Sequence, residues 1–150
     1  MAKPTFVVTK WWRDLPAAHR QPTHDGHCRL VHGHNWAFEV TFSATQLDEN
    51  GFVIDVGKLG KVTERLKALF DHTLLINGED PQLEVFKEMD RKGLISLVVV
   101  RNCGMEALAE LVAYSAQVIL EGNKENSDRG VKVVEVTCWE DSKNRATYRP

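Results

Sequence analysis

The segment from residue 32 to residue 44 alternates between large, mostly apolar side chains and small or polar ones, and this pattern constrains the fold most strongly. In a β-strand, residues two apart project from the same face, so the segment predicts a strand with one continuous buried face. That face carries His32, His34, Trp36, Phe38, Val40 and Phe42. Two imidazoles therefore begin a face whose other side chains are expected to lie in the core.

Shorter apolar and β-branched runs predict the remaining strands. We expect them at residues 6–12, 94–100, 131–139 and 146–148. Prolines, glycines and polar residues predict the loops. These are expected at residues 15–26, 46–51, 71–82 and 123–130.

Apolar residues at helical spacing predict two main helices. One begins at Asp55, whose carboxylate can cap it, and ends at Phe70. The other begins near Gly104 and ends at Gly122. A short helix is expected at residues 83–91. The order of two strands, two main helices and two strands indicates an α+β fold with an antiparallel sheet.

The composition is that of an ordinary globular domain. The chain has 150 residues, of which 43% are hydrophobic and 27% charged, and we expect a single domain over residues 1–150. The net charge of −2 gives no electrostatic reason to expect nucleic acid or a membrane surface as partner. No apolar run is long enough to span a bilayer. Three widely spaced cysteines do not form a disulfide framework, so we expect a cytoplasmic protein with reduced thiols.

Histidines are concentrated near the start of the chain. His32 and His34 leave one face of the predicted strand and can chelate one ion, and His19 on the preceding loop is the best candidate for a third ligand. Three histidines leave a fourth position for water or substrate, as in catalytic zinc sites. The alternative is a set of surface histidines near a strand end. His24 and His27 lie in a polar loop and are expected to be exposed to solvent.

The three cysteines differ in their surroundings. Cys28 lies between a histidine and Arg29, and both Arg29 and a nearby metal would favour its thiolate form, so we expect a reactive thiol. Cys103 precedes a predicted helix and is a weaker second candidate. Cys138 lies in an apolar strand and is expected to be part of the core.

Three carboxylates are candidates for a polar site. Asp71 precedes His72 and could hold its ring in one tautomer, although adjacent side chains need not meet. Glu106 lies in the first turn of a predicted helix, where a carboxylate is favourable for structural reasons alone. Glu140 follows a strand, and its alternative interpretation is an exposed surface charge.

Several of these residues belong to longer motifs that follow one another along the chain in a fixed order. The motifs are Ala17-Ala18-His19, Cys28, His32-Gly33-His34-Asn35-Trp36, Gly51-Phe52-Val53-Ile54-Asp55, Asp71-His72-Thr73-Leu74-Leu75, Glu106-Ala107-Leu108-Ala109, and Glu140 with Tyr148. This ordered set covers nearly the whole chain and resembles the family of 6-pyruvoyltetrahydropterin synthase and 6-carboxytetrahydropterin synthase. The resemblance implies the tunnelling fold, a four-stranded antiparallel sheet with two main helices on one face. It also implies a homo-oligomer in which three subunits close a barrel and two trimers form a hexamer.

The resemblance also implies roles for the site residues. It implies that Zn²⁺ is held by His19, His32 and His34. It implies that Cys28 is a proton-transfer thiol, with Asp71 and His72 as its partner pair. Glu140 would anchor a small-molecule pterin through its amino group and ring N–H, and Glu106 would lie in the substrate pocket beside a neighbouring subunit's site.

The spacing between Cys28 and His32 bears on the reaction. Three residues intervene, which is similar to the 6-carboxytetrahydropterin synthases of the queuosine pathway. The resemblance therefore implies conversion of 7,8-dihydroneopterin triphosphate to 6-carboxy-5,6,7,8-tetrahydropterin, with loss of acetaldehyde and triphosphate. One alternative is a 6-pyruvoyltetrahydropterin synthase or a related lyase that cleaves dihydroneopterin. An alternative of another class is a non-catalytic pterin- or metal-binding protein.

The chain departs from the family pattern in two places. Where the family often has Pro-Thr-x-Glu at the start of the second main helix, this chain has Cys103-Gly104-Met105-Glu106. Residues 78–101 form a longer segment than in compact members, and we expect an additional helix and an edge strand there. The first departure puts the local pocket in question and motivates the non-catalytic alternative.

Overall fold

The computed structural model describes residues 5–150, which form one mixed sheet with four helices. The strands are β1 (Val7–His19), β2 (His32–Ser43), β3 (Thr73–Asn77), β4 (Leu97–Val100), β5 (Lys132–Trp139) and β6 (Arg145–Tyr148). The helices are α1 (Gly60–Phe70), α2 (Leu83–Arg91), α3 (Met105–Glu121) and α4 (Lys124–Asp128). Within these residues, no helix is long and apolar enough to cross a membrane.

The sheet has six strands in the order β4-β3-β1-β2-β5-β6. Antiparallel pairing joins β1 to β2, β2 to β5 and β5 to β6. Parallel pairing joins β3 to β1 and β4 to β3. The prediction of a simple four-stranded antiparallel sheet is therefore wrong, because two parallel strands extend a four-stranded antiparallel part.

Strand β3 lies within residues 71–82, where a loop was expected, and that prediction is wrong. Leu75 belongs to the main core, whereas Leu74 and Ile76 pack with Phe86 of α2 in a second apolar cluster. Both faces of β3 are therefore covered, as is usual for parallel strands. A strand buried on both faces shows no alternation of apolar and polar residues, which hid it in the sequence.

Strand β1 continues to His19, so the loop predicted at residues 15–26 begins later than expected. The register of β1 shifts between Trp12 and Leu15, where Asp14 has a positive φ of 59°. Strand β1 tolerates Pro16 because, in a β-strand, the backbone N and O atoms of one residue point toward the same neighbouring strand. Its carbonyl accepts the His72 N–H at 2.7 Å on the β3 side, so the missing proline N–H removes no bond to β2.

The helices follow the predicted pattern more closely than the strands do. Asp55 caps a three-residue 3₁₀ turn through Gly57 N–H, and α1 begins only at Gly60, later than predicted. The predictions of α2 over residues 83–91 and of β4 as an edge strand are confirmed. Helix α3 ends at Gly122 as expected. The short helix α4 lies in the predicted loop at residues 123–130.

The core lies between the helices and the alternating face of β2. Four residues of that face are completely buried: Trp36, Phe38, Val40 and Phe42. Phe38 packs against Phe70 of α1 with ring centroids 4.5 Å apart. Full burial of such side chains contributes about 1.5–3 kcal/mol each. This packing fixes the strand that carries the two histidines.

Candidate active site and metal centre

Three histidines converge where β1 ends and β2 begins. His19, the last residue of β1, lies opposite His32, the first residue of β2, and His34 projects from the same face two residues later. The ring centroids are 4.6, 5.1 and 4.9 Å apart for the three pairs. One potential ligand atom of each ring lies within 4.8 Å of the others. The structure thus brings together the three histidines selected in the sequence, with His19 on a strand and not on a loop.

Backbone carbonyls hold two of the imidazole rings. The Nδ1 atom of His19 lies 2.9 Å from the carbonyl oxygen of Cys103, and that of His32 lies 2.7 Å from the carbonyl oxygen of Leu30. A carbonyl only accepts hydrogen bonds, so each Nδ1 must carry the proton. The Nε2 atom of each ring therefore keeps a lone pair that can bind a metal.

His19 is neutral at physiological pH. Its burial lowers the pKa of the imidazole from 6.5 to about 4, an effect that the Cys103 carbonyl opposes and that His32 and His34 reinforce. A metal binds the neutral form of histidine, so no proton must leave His19 at pH 7. The charge state of His19 suits a metal ligand.

The surroundings of the histidines fit a divalent metal. The Nε2 atoms of His19 and His34 are buried and have no hydrogen-bond partner among residues 5–150. Such an unpaired buried atom costs about 1–3 kcal/mol, which a bound ion would relieve. The Trp36 ring packs edge-on against both imidazoles, with centroids 4.9 and 5.5 Å away, and keeps water from this side. Three imidazoles match a tetrahedral zinc site with one open position.

Glu140 lies at the open side of the histidine cluster. It follows β5, and its Oε1 atom is 3.3 Å from the Nε2 atoms of both His19 and His34. The contact to His19 is not an ion pair, because that imidazole is neutral. Neither contact has hydrogen-bond geometry. The carboxylate is therefore within reach of whatever occupies the site, and it is only partly exposed.

Asp141 lies beside Glu140 but is committed to a turn. Its carboxylate accepts the backbone N–H groups of Lys143 and Asn144 at 2.7 Å each. These bonds lower the pKa of Asp141. Although Asp141 forms a second possible ligand group with His34 and Glu140, the hydrogen bonds already occupy its oxygens. The three-histidine group is the better metal site.

The structure places Glu106 and Glu140 on different elements, in the first turn of α3 and directly after β5. Cys138 is fully buried, as predicted, and burial raises the pKa of its thiol well above the usual range, with further contributions from Glu140 and Glu106. Both carboxylates must therefore lie close enough to Cys138 to act on it electrostatically. Glu106 is exposed in the first turn of α3 and lines an open cavity of about 550 Å³.

Cys103 does not have the environment of a reactive thiol. It is completely buried, and burial raises the pKa of its thiol to about 12, with Asp80 adding to the effect. The expectation that Cys103 is a second reactive cysteine is therefore wrong, because a neutral thiol is a poor nucleophile. Its backbone carbonyl is nevertheless part of the site through His19.

Cys28 lies in a short 3₁₀ turn, His27–Arg29, and is half-buried. Its carbonyl oxygen accepts the backbone N–H of Gln21 at 2.8 Å, which holds the turn near the end of β1. The neighbouring His24 and His27 are exposed, as expected, and neither belongs to a possible metal group in the described part of the chain. The thiol is thus more accessible than those of Cys103 and Cys138.

Asp71 and His72 lie beside the last residues of β1, before the turn that carries Cys28. The Nδ1 atom of His72 is 2.7 Å from Asp71 Oδ1, and the ring is exposed. His72 has a positive φ of 59°, a conformation that costs a non-glycine residue about 1–3 kcal/mol. The backbone N–H of His72 donates to the Pro16 carbonyl, and that of Gln21 donates to the Cys28 carbonyl. Pro16 and Gln21 are five residues apart, or roughly 15 Å in an extended chain. The two residues are therefore anchored at different points of this stretch of chain.

Sequence reasoning missed two amide side chains next to the site. Asn77 accepts the backbone N–H of Cys103 at 2.8 Å and donates to Gln21 at 3.1 Å. Gln21 also donates to Asn102. Isolated amides carry no spacing signal, so only the fold could reveal these contacts.

Comparison with known proteins identifies the relatives of this chain. A family model described as 6-pyruvoyl tetrahydropterin synthase matches residues 9–150. A 6-carboxy-5,6,7,8-tetrahydropterin synthase of Rickettsia typhi is 34% identical over 71 residues, which are 47% of this chain and 51% of the relative. One of Aquifex aeolicus is 30% identical over 124 residues, 81% of this chain and 75% of the relative. The chain thus spans about half the length of several curated relatives that it matches.

The structural comparison agrees with the sequence match. The structure of 6-pyruvoyl tetrahydropterin synthase from Caenorhabditis elegans superimposes with a TM-score of 0.65 at 22% identity, covering 98% of this chain and 96% of the other. The curled mixed sheet with its helices is therefore the tunnelling fold. Since both the sequence match and the fold agree, the chain belongs to the 6-pyruvoyl tetrahydropterin synthase family.

Proposed function

We propose that the protein is a zinc-dependent 6-carboxy-5,6,7,8-tetrahydropterin synthase. It would convert 7,8-dihydroneopterin triphosphate and water to 6-carboxy-5,6,7,8-tetrahydropterin, acetaldehyde and triphosphate. The observation that carries this proposal is the group of three imidazoles, two of them with Nδ1 bound to carbonyls and Nε2 left for a metal. The names of the curated relatives support the choice of the 6-carboxy product.

In this proposal His19, His32 and His34 hold Zn²⁺. When bound, the ion would polarise the side-chain oxygens of the substrate as a Lewis acid. Trp36 restricts water on the core side of the imidazoles, because its ring packs against two of them. Glu140 lies beside two of these imidazoles, within reach of a substrate bound to the ion.

Glu140 and Glu106 would orient the pterin. A carboxylate can accept two hydrogen bonds from neighbouring N–H groups, such as the amino group and ring N–H of a pterin. Glu140 is 3.3 Å from two imidazoles, so a pterin anchored there would have its side chain close to the metal. Glu106 lines an open cavity with Tyr148 of the neighbouring strand β6, where a bound pterin could contact it.

Cys28 and His72 would move the carbon-bound protons, and Asp71 would orient the His72 ring. The residues that anchor His72 and Cys28 by backbone hydrogen bonds, Pro16 and Gln21, are five residues apart, so we infer that His72 of a second copy completes the pair. Its exposed ring is free to reach such a neighbour. This requirement agrees with the homo-oligomer, a hexamer of two trimers, that the family resemblance implies.

Incubation of the purified protein with 7,8-dihydroneopterin triphosphate tests the proposal. We expect 6-carboxytetrahydropterin and acetaldehyde by mass spectrometry, with loss of turnover after chelation and recovery after addition of zinc. A 6-pyruvoyl product would favour the alternative reaction. Tight pterin binding without turnover would favour a non-catalytic protein.

A mixing experiment tests the contribution of the second copy. Cys28→Ala and His72→Ala should each be inactive as pure oligomers. Oligomers reassembled from both variants would contain some sites with an intact thiol and an intact imidazole, so part of the activity should return. Mixed oligomers that stay inactive would contradict the shared site.

A further inference from the structure

A continuous path of hydrogen bonds connects the Cys28 turn to His19 through two side-chain amides. The carbonyl of Cys28 accepts the Gln21 backbone N–H at 2.8 Å. The side-chain oxygen of Gln21 accepts Asn77 Nδ2–H at 3.1 Å, and Asn77 Oδ1 accepts the Cys103 backbone N–H at 2.8 Å. The Cys103 carbonyl then accepts His19 Nδ1–H at 2.9 Å. The turn that bears the candidate thiol and the most buried imidazole are therefore linked.

The parallel strands explain why Asn77 can make these contacts. It is the last residue of β3, which lies between β1 and β4 with the same direction as both. Since Leu75 is opposite His19, Asn77 lies beside Gln21, two residues further along. Asn77 is also opposite Val100, the last residue of β4, so the chain that leads to α3 passes next to it. An amide at this position can bond to both neighbouring segments.

We propose that Asn77 is a positioning residue for the metal site, acting through the backbone of Cys103, from its N–H to its carbonyl, on the His19 ring. The inference rests on the proposed function, because it assumes that His19 binds the metal. Asn77 fixes the Cys103 N–H, and the same segment presents the carbonyl that holds His19 Nδ1. Gln21 in turn fixes the Asn77 amide and connects it to the Cys28 turn.

The departure of this chain from the family motif supports the role of Asn77. The family often has proline where this chain has Cys103, and proline has no N–H to donate. Proline restricts the backbone through its ring, whereas Cys103 does not. The bond from Cys103 N–H to Asn77 supplies a restraint that a proline would otherwise provide. Asn77 thus restrains the backbone before α3 at the position where this chain lacks the proline.

The predicted effect is on metal affinity. Loss of a partner that orients a metal-binding histidine typically weakens metal binding 10- to 100-fold. Asn77 does not contact His19 itself but bonds to Cys103, whose carbonyl does. We therefore expect a loss of Zn²⁺ affinity at the lower end of this range, about 10-fold. The affinity of the protein for Zn²⁺ can be measured by competition with a chromophoric chelator, a readout that does not depend on turnover. The visible spectrum of the Co²⁺-loaded protein reports the geometry of the ligands.

Asn77→Leu removes both amide bonds while keeping the number and branching of the side-chain heavy atoms, and it should weaken Zn²⁺ binding about 10-fold. Asn77→Asp keeps an oxygen that accepts the Cys103 N–H but loses the donor to Gln21, and it should bind Zn²⁺ within a few-fold of the parent. Asn123→Leu is the matched control. Asn123 caps α4 through Asn126 N–H beyond the far end of α3, about 25 Å from Cys103. The control should leave Zn²⁺ affinity unchanged.

A double-mutant cycle shows whether Asn77 acts through the peptide N–H. Cys103→Pro removes that N–H and restores a ring restraint, so Asn77→Leu should have less than a two-fold effect in this background, by the logic of coupled partners. A loss of equal size in both backgrounds would overturn the inference, as would parent-like affinity in folded Asn77→Leu. Should Asn77→Leu not fold, Asn77→Ala, which also lacks the acceptor oxygen for the Cys103 N–H, replaces it in both backgrounds with the same expected outcomes. If the parent itself binds no zinc, the proposed function fails first.

Discussion

Acidification should destabilise the metal-free protein through His19. The side chain is buried, and burial lowers its pKa to about 4, whereas an unfolded chain has a histidine pKa near 6.5. The contribution of the neutral His19 side chain to the free energy of unfolding is fully present above about pH 6.5. It is lost as the pH falls from 6.5 toward 4, because the unfolded chain binds the proton first. Below about pH 4 both states are protonated and the loss levels off.

The size of the effect follows from the difference between the two pKa values. A difference of about 2.5 pH units corresponds to about 3.4 kcal/mol in the limit, at about 1.36 kcal/mol for each unit. Between pH 7 and pH 5 only part of this is lost, about 2 kcal/mol. That is a large share of the stability of an ordinary domain. His19→Leu removes the titration but keeps an apolar side chain in the core.

Urea unfolding of the chelator-treated protein at pH 7 and pH 5 measures the effect. At fixed protein concentration, the unfolding free energy of the parent should fall about 2 kcal/mol more than that of His19→Leu. His24→Leu, at an exposed position, should behave like the parent. If the parent and His19→Leu lose the same stability, His19 is not held in a neutral buried state, and the argument that it is ready for a metal fails.

Further changes test individual parts of the site. Cys28→Ala should abolish turnover while leaving zinc content unchanged, and retained turnover would exclude the thiol from the mechanism. His32→Ala should lose most of the zinc measured by metal analysis, whereas His24→Ala should keep it. Glu140→Gln should raise KM for the pterin, because the amide has one acceptor oxygen and an NH₂ donor where the carboxylate has two acceptor oxygens; an unchanged KM would argue against the anchor. Sedimentation that shows a stable monomer would contradict a site shared between Cys28 and His72.

The elements that the sequence predicted well are those with a local pattern. Strand β2 has one buried and one less buried face, so its alternation is plain. Helix α3 has apolar residues at helical spacing and a terminal Gly122. Helix α2 ends before Gly93, whose positive φ of 71° suits a glycine. In each case the signal lies within the residues of the element itself.

The elements that the sequence did not predict depend on distant neighbours. Strand β3 is short and buried on both faces, so its apolar run could not be told from a buried loop. The end of β1 contains Pro16, which normally disfavours a strand interior. It is accommodated because β3 pairs with β1 only from Ala17 onward. This pairing joins segments more than 50 residues apart, and no local pattern encodes it.

The candidate site likewise has some features that follow from a local sequence pattern and others that depend on distant residues. The strand phase of His32 and His34 follows from their spacing, and the face they share is fixed by Trp36 behind them. The carbonyl that holds His19, in contrast, belongs to Cys103, 84 residues away. A sequence pattern can therefore predict which ligands share a strand, but not which backbone groups orient them.

The segment before α3 shows why a departure from a motif need not mean a loss of function. The non-catalytic alternative was motivated by Cys103-Gly104 in place of Pro-Thr, yet the Cys103 carbonyl still reaches His19 at 2.9 Å. The N–H that a proline would lack is bonded to Asn77. A chain with proline at this position has no such N–H and therefore no need for an acceptor at position 77. We expect the two positions to vary together among relatives, because each provides a restraint that the other can replace.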